Sequence, residues 1–144
     1  MSASAPIRSA APYGFTLLEL LVVMVIIGLL AAYVGPRYFA QLSKSERGTA
    51  KTQIEAFSRA LDAYRLDAGH YPSTAQGLAA LSTRPPDEAK WNGPYLQKSP
   101  PPDPWGQAYQ YRSPGTGDAE YDLLSFGKDG RAGGEGADAD ISYR

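Results

Sequence analysis

Cysteine is absent from this 144-residue chain, which excludes disulfide staples and thiolate metal centres and leaves the redox compartment unreadable from thiols. Histidine occurs once, at His70, so a site built from several imidazoles is excluded. Excess charge of one sign is missing too: Lys plus Arg number 14 against 15 for Asp plus Glu, a net charge of -1. Nucleic-acid partners normally require a clustered basic face, and none is expected here. No nucleophile motif accompanies His70, which lies beside a predicted helix C-terminus and reads as a dipole or packing residue; no enzyme is expected. Glycine and proline are plentiful, 15 and 12 residues, and crowd the C-terminal half. That pattern suits one loop-rich domain with short strands better than a helical bundle.

One long apolar run dominates the N-terminal part. From Phe15 to Val34 the chain reads FTLLELLVVMVIIGLLAAYV, with Glu19 as its only charge. At 1.5 Å per residue this reaches roughly 30 Å, the thickness of a bilayer core. A secretory signal peptide has an apolar region of only about 7–15 residues, so the run is read as a membrane span. Glu19 is out of place in it. An ionisable group inside lipid is costly and usually marks function or a specific partner; a carboxyl reaching back to the membrane edge is the plainer alternative.

Gly35-Pro36 ends the apolar run, and proline inside a helix is expected to kink or break it. Beyond it, Ala50, Ile54, Phe57, Leu61 and Tyr64 recur at helical spacing, the apolar stripe of an amphipathic helix. Lys51, Glu55, Arg59, Asp62 and Arg65 fill its other sides. Gly69 is the predicted C-cap, with Pro72 just past the end. The heptads after Pro36 are too few for a coiled coil. One long helix is expected, its first half in lipid and its second half against a small globular domain.

The rest is punctuated by turns. Ser73 and Gln76 fit a capping box, so a short helix is predicted there, and Gly77 within it suggests close approach to another element. The prolines of Gly93-Pro94-Tyr95-Leu96 and Asp103-Pro104-Trp105-Gly106 forbid a central strand. Strands are predicted from Tyr109 to Arg112 and from Tyr121 to Ser125, with turn chemistry over 113–117 between them. Trp105 and the tyrosines read as packing residues. In the tail, DLLSFGKDGRAGGEGADADI over 122–141, carboxylates alternate with glycines. Such a segment suits a hard cation such as Ca²⁺, though the spacing is not that of an EF-hand. By composition alone a hydrated, partly disordered tail stands equal.

Two levels of resemblance organise these features. The string Gly14-Phe15-Thr16-Leu17-Leu18-Glu19 resembles the processing site of the type IV pilin and pseudopilin superfamily. Together with YPSTAQGLAAL, GPYL, DPWG and YDLLSFGKDG in that order, it resembles the major pseudopilin family of the type II secretion system, general secretion pathway protein G. The similarity runs from about Gly14 to Ile141. It implies an α+β, type IV pilin-like fold: a long N-terminal helix, transmembrane in its first half, packed on a small antiparallel sheet with a loop-rich, metal-binding C-terminal region. Residues 1–14 are then a prepilin-type leader, 15–35 the membrane and polymerisation helix, and 36–144 a periplasmic domain.

The resemblance also implies partners and sites. Prepilin peptidase cuts after Gly14 and methylates the new Phe15 amine, and Glu19 of one subunit neutralises that amine in a neighbour. A charge pair is tolerable in an apolar core where single charges are not, and it sets axial register. The expected partners are further copies of the chain, minor pseudopilins, the inner-membrane assembly platform and inner-membrane lipid. A bare count of flanking Lys and Arg, Arg8 against Arg37, Lys44, Arg47 and Lys51, places the N-terminus outside; the processing motif requires the leader on the cytoplasmic side. Family members carry calcium in the tail loop. Carried over, Asp129, Asp138 and Asp140 provide side-chain oxygens, and Phe126 and Arg131 backbone carbonyls. The alternative is a type IV pilus pilin serving adhesion, motility or DNA uptake, against which the missing cysteine pair speaks.

Overall fold

The computed structural model describes residues 14–143, so all but the last residue of the expected leader lies outside the described residues. Helix α1 spans Leu17–Ala68, 52 residues. It runs on through Pro36 without a break, the one long helix that was expected; proline removes one N–H donor there, and the helix is maintained on both sides. The chain divides after Phe39 into two compact units, and each is described by itself.

In the first unit, the apolar residues of α1 from Leu17 to Val34 are exposed on every face. This stretch is long and apolar enough to cross a membrane, and none of it is buried within the chain. A helix apolar all round needs lipid or other helices around it.

In the second unit the stripe predicted from spacing becomes the core. Ala50, Ile54, Phe57, Leu61 and Tyr64 are buried, together with Ala68. They pack with Leu78, Ala80, Leu81, Tyr109, Tyr121, Leu123 and Ile141 in one cluster. Three short strands, β1 (Gln110–Arg112), β2 (Asp122–Ser125) and β3 (Ile141–Ser142), form an antiparallel sheet in the order β1-β2-β3. Leu123 and Ser125 alternate with half-buried neighbours along β2, the period-two pattern of a sheet with one face on the core. The helix also meets the residues that lead into β1 and β2, through polar and ring contacts. Ser58 Oγ and Tyr121 Oη lie 2.9 Å apart in the interior, and Phe57 meets Tyr109 edge to face at 5.1 Å.

Gly69 closes α1 as predicted, with φ at +85° and its N–H on Arg65 O at 2.8 Å. The capping box forms both of its bonds: Ser73 N–H donates to Gln76 Oε1 at 2.8 Å and Gln76 N–H to Ser73 Oγ at 3.2 Å. The box leads into a turn and a 3-10 helix, Leu78–Leu81. Gly77 prevents an α-helix, since its φ is +59°, a region that L side chains avoid. The expectation of close packing at Gly77 is corrected: an added Cβ would have no neighbour nearer than 3.8 Å. His70 contributes packing and a polar contact, its Nε2 lying 3.0 Å from the buried Glu88 carboxylate, and Tyr64 donates to the same oxygen.

Candidate functional site

Two places answer the sequence expectations: the start of α1 and the glycine-rich tail. At the first, Gly14, Phe15 and Thr16 precede the helix in non-helical, exposed backbone. An added Cβ on Gly14 would touch nothing within 4 Å. Among the described residues, nothing crowds Gly14. Thr16 acts as the helix N-cap, a role that spacing alone did not bring out although T-x-x-E is its signature. Its Oγ1 accepts the Glu19 N–H at 3.2 Å, and its carbonyl accepts from Leu20 at 3.2 Å. Glu19 thus lies in the first turn, where the partial positive charge of the helix end favours a carboxylate. Phe15 is 77% exposed.

The tail is a folded loop, which decides against the disordered alternative. Gly127, Gly130, Gly133, Gly134 and Gly136 all have positive φ, turning the chain back on itself. Two close approaches lock it. A Cβ on Gly127 would stand 2.9 Å from the carbonyl oxygens of Asp138 and Ala139, and one on Gly134 would stand 2.5 Å from Asp138 O.

The rest of the domain grips this loop at both ends. At its entry, Ser125 Oγ donates to the buried Asp103 carboxylate at 2.6 Å and accepts Gly127 N–H at 3.2 Å. Asp103 also accepts from Trp105 N–H and Gln107 N–H. Near its exit, Arg47 Nη1 donates to Ala139 O at 2.6 Å. One helical position earlier, Glu46 accepts from Trp105 Nε1 at 3.1 Å.

The expected calcium ligands fall out unevenly. Asp140 has one oxygen, Oδ2, on Gly133 N–H at 3.0 Å. Its Oδ1 is the only side-chain polar atom among the described residues that is buried without a hydrogen-bond partner. Leaving a buried charged oxygen unmatched costs on the order of 1–3 kcal/mol or more, so this atom is suited to a cation. Asp129 Oδ1 accepts Arg131 N–H at 3.2 Å in a tight turn, and its side chain is exposed. Asp138 is exposed, and its backbone carbonyl crowds Gly127 and Gly134. No three Asp, Glu or His side chains converge among the described residues. Phe126 and Arg131, whose carbonyls are the remaining expected ligands, lie in the same loop. Of the expected ligands, Asp140 alone offers a buried oxygen that a hard cation would satisfy; the carboxylates of Asp129 and Asp138 are not gathered around it.

Comparison with known proteins covers both units of the chain. Residues 37–144 match the family described as Type II secretion system (T2SS), protein G, and residues 12–35 match the prokaryotic N-terminal methylation motif. The chain is 47% identical over 131 residues to a type II secretion system core protein G of Pseudomonas aeruginosa, covering 89% of this chain and 92% of the relative. A core protein G of Vibrio cholerae is 47% identical as well, with coverage of 89% and 88%. Among solved structures, the major pseudopilin from the type 2 secretion system of enterohaemorrhagic Escherichia coli superposes with a TM-score of 0.61 at 34% identity, covering 73% of this chain and 91% of that one.

Proposed function

The chain belongs to the type II secretion system protein G family, and we propose from this premise how it matures, assembles and is stabilised. Its function is that of a major pseudopilin, a structural subunit of type II secretion, in preference to a type IV pilus pilin. It is cut between Gly14 and Phe15, methylated at the new amine, held in the inner membrane by the first half of α1, and polymerised into a periplasmic fibre with its outer domain facing the periplasm. Minor pseudopilins and the inner-membrane platform are its assembly partners. It performs no chemistry of its own.

The observation that carries this reading is the isolated carboxylate in the first turn of α1, whose stretch from Leu17 to Val34 is otherwise apolar and exposed. A charge there is expensive in lipid. Beside the Phe15 amine of a neighbouring subunit it becomes half of a matched pair, and the cost of desolvating each partner is offset by the other. Calcium is the second part of the proposal. The loop has no cysteine to close it, and an ion held by Asp140, Asp129, Asp138 and the carbonyls of Phe126 and Arg131 supplies that cross-link.

The test uses cells that carry the remaining secretion components. Mass spectrometry of the mature subunit should give a chain starting at Phe15 and carrying one methyl group. Glu19→Ala should leave cleavage intact and abolish or strongly reduce sheared filaments. Normal filaments from Glu19→Ala would remove the charge-pair account, and a chain retaining residues 1–14 would remove the processing account.

A further inference from the structure

Asp140, on which the calcium reading chiefly depends, is restrained from three directions. On one side, the preceding residue Ala139 has its carbonyl tied to Arg47 Nη1 at 2.6 Å. On the other, Ile141 opens β3 and pairs with Ser125 of β2. The third restraint is on the side chain, where Gly133 N–H holds Oδ2 at 3.0 Å. With both neighbouring residues and one oxygen fixed, Oδ1 is left pointing where no protein donor meets it. Two of these restraints come from the loop and the sheet themselves. Arg47 alone comes from α1, 92 residues away in sequence.

We infer that Arg47 is a positioning residue for cation binding: by fixing the Ala139–Asp140 peptide it presents Asp140 Oδ1 to the ion, and it ties loading of the tail loop to helix α1. The inference rests on the proposed calcium site and assigns to it a residue outside the ligand set. Groups that orient metal ligands from behind typically contribute about 10–100-fold to metal affinity. Charge and position pull in opposite directions here, which makes the two separable. A guanidinium near a cation site repels the ion, so if its charge were its main effect, removing it would tighten binding. If its main effect is to hold the peptide, removing it weakens binding.

The experiment uses the full mature chain in detergent micelles, freed of metal by chelator and titrated with calcium chloride by calorimetry. Amide hydrogen exchange over 138–141 is followed in parallel. Arg47→Met is expected to bind calcium about tenfold more weakly or worse, with faster exchange at 138–141 both with and without the ion. Arg47→Lys, which keeps the charge and a donor, should recover part of the affinity, and it carries the test if the methionine variant does not fold. Affinity in Arg47→Met equal to or tighter than wild type overturns the inference while leaving the calcium site standing. A wild-type chain that neither binds calcium nor changes its exchange overturns both together.

Discussion

Replacing Gly134 by alanine, with Gly133→Ala as its matched control, isolates the close approach that shapes the tail. Both glycines have φ near +90°, at +89° and +96°, so an alanine at either position pays about 1–2 kcal/mol of left-handed strain. Their surroundings differ. A Cβ on Gly133 would meet nothing within 4 Å, whereas one on Gly134 would lie 2.5 Å from Asp138 O and 2.9 Å from its carbonyl carbon. Those neighbours are backbone and cannot rotate aside, so the loop must shift, at about 1–3 kcal/mol for such overpacking. Gly133→Ala should therefore cost about 1–2 kcal/mol and Gly134→Ala about 2–5 kcal/mol. In a domain of about 100 residues each kcal/mol lowers the melting temperature by about 4–8 °C. Thermal melts of the mature chain in micelles, followed by near-ultraviolet circular dichroism, should place Gly134→Ala at least about 4 °C below Gly133→Ala. Equal melting temperatures for the two variants would refute the claim that contact with Asp138 organises the loop.

Chelation should lower the melting temperature of the same sample. At a free calcium concentration 100 times the dissociation constant, the bound ion adds about 2.7 kcal/mol, and a melt that ignores both calcium and chelator would count against the site. Leu61 is fully buried on the helix face, so Leu61→Ala should cost about 2–5 kcal/mol in denaturant unfolding; a change below 1 kcal/mol, roughly the error of extrapolation, would mean that the helix does not form the core. Hydrogen bonds from the Thr116 hydroxyl and the Arg112 guanidinium, helped by the Thr116 N–H, hold Asp122 down at about 2. Stability from these bonds is complete above the ordinary Asp value of about 3.9, declines as pH falls below it, and is gone below about 2. Asp122→Asn should therefore flatten the fall of the unfolding midpoint across that window, and an unchanged slope would contradict the assignment.

Much of this protein was legible one turn at a time. The stripe of Ala50, Ile54, Phe57, Leu61 and Tyr64 needed only a count of spacings, because helix periodicity is a local property. The span from Phe15 to Val34, the C-cap at Gly69 and both bonds of the Ser73–Gln76 capping box were readable for the same reason. Two local signals are informative. Pro36 does not break α1, in keeping with the one long helix expected, since proline removes a single donor and the helix on either side persists. Gly77 reflects backbone conformation, and its packing is ordinary.

Only the tertiary structure decided which distant groups meet. Strand β3 is two residues long, too short for any alternation to register, and it exists because Ile141 finds Ser125. Arg47 reaches Ala139, Asp103 reaches Ser125, and Asp140 is left with one oxygen unmatched; none of these can be read from spacing along the chain. Local order is set by neighbours three or four residues away, so sequence by itself determined the helix and its apolar, exposed first half. The loop that would hold an ion depends on contacts across tens of residues, whose partners are chosen only when the core closes.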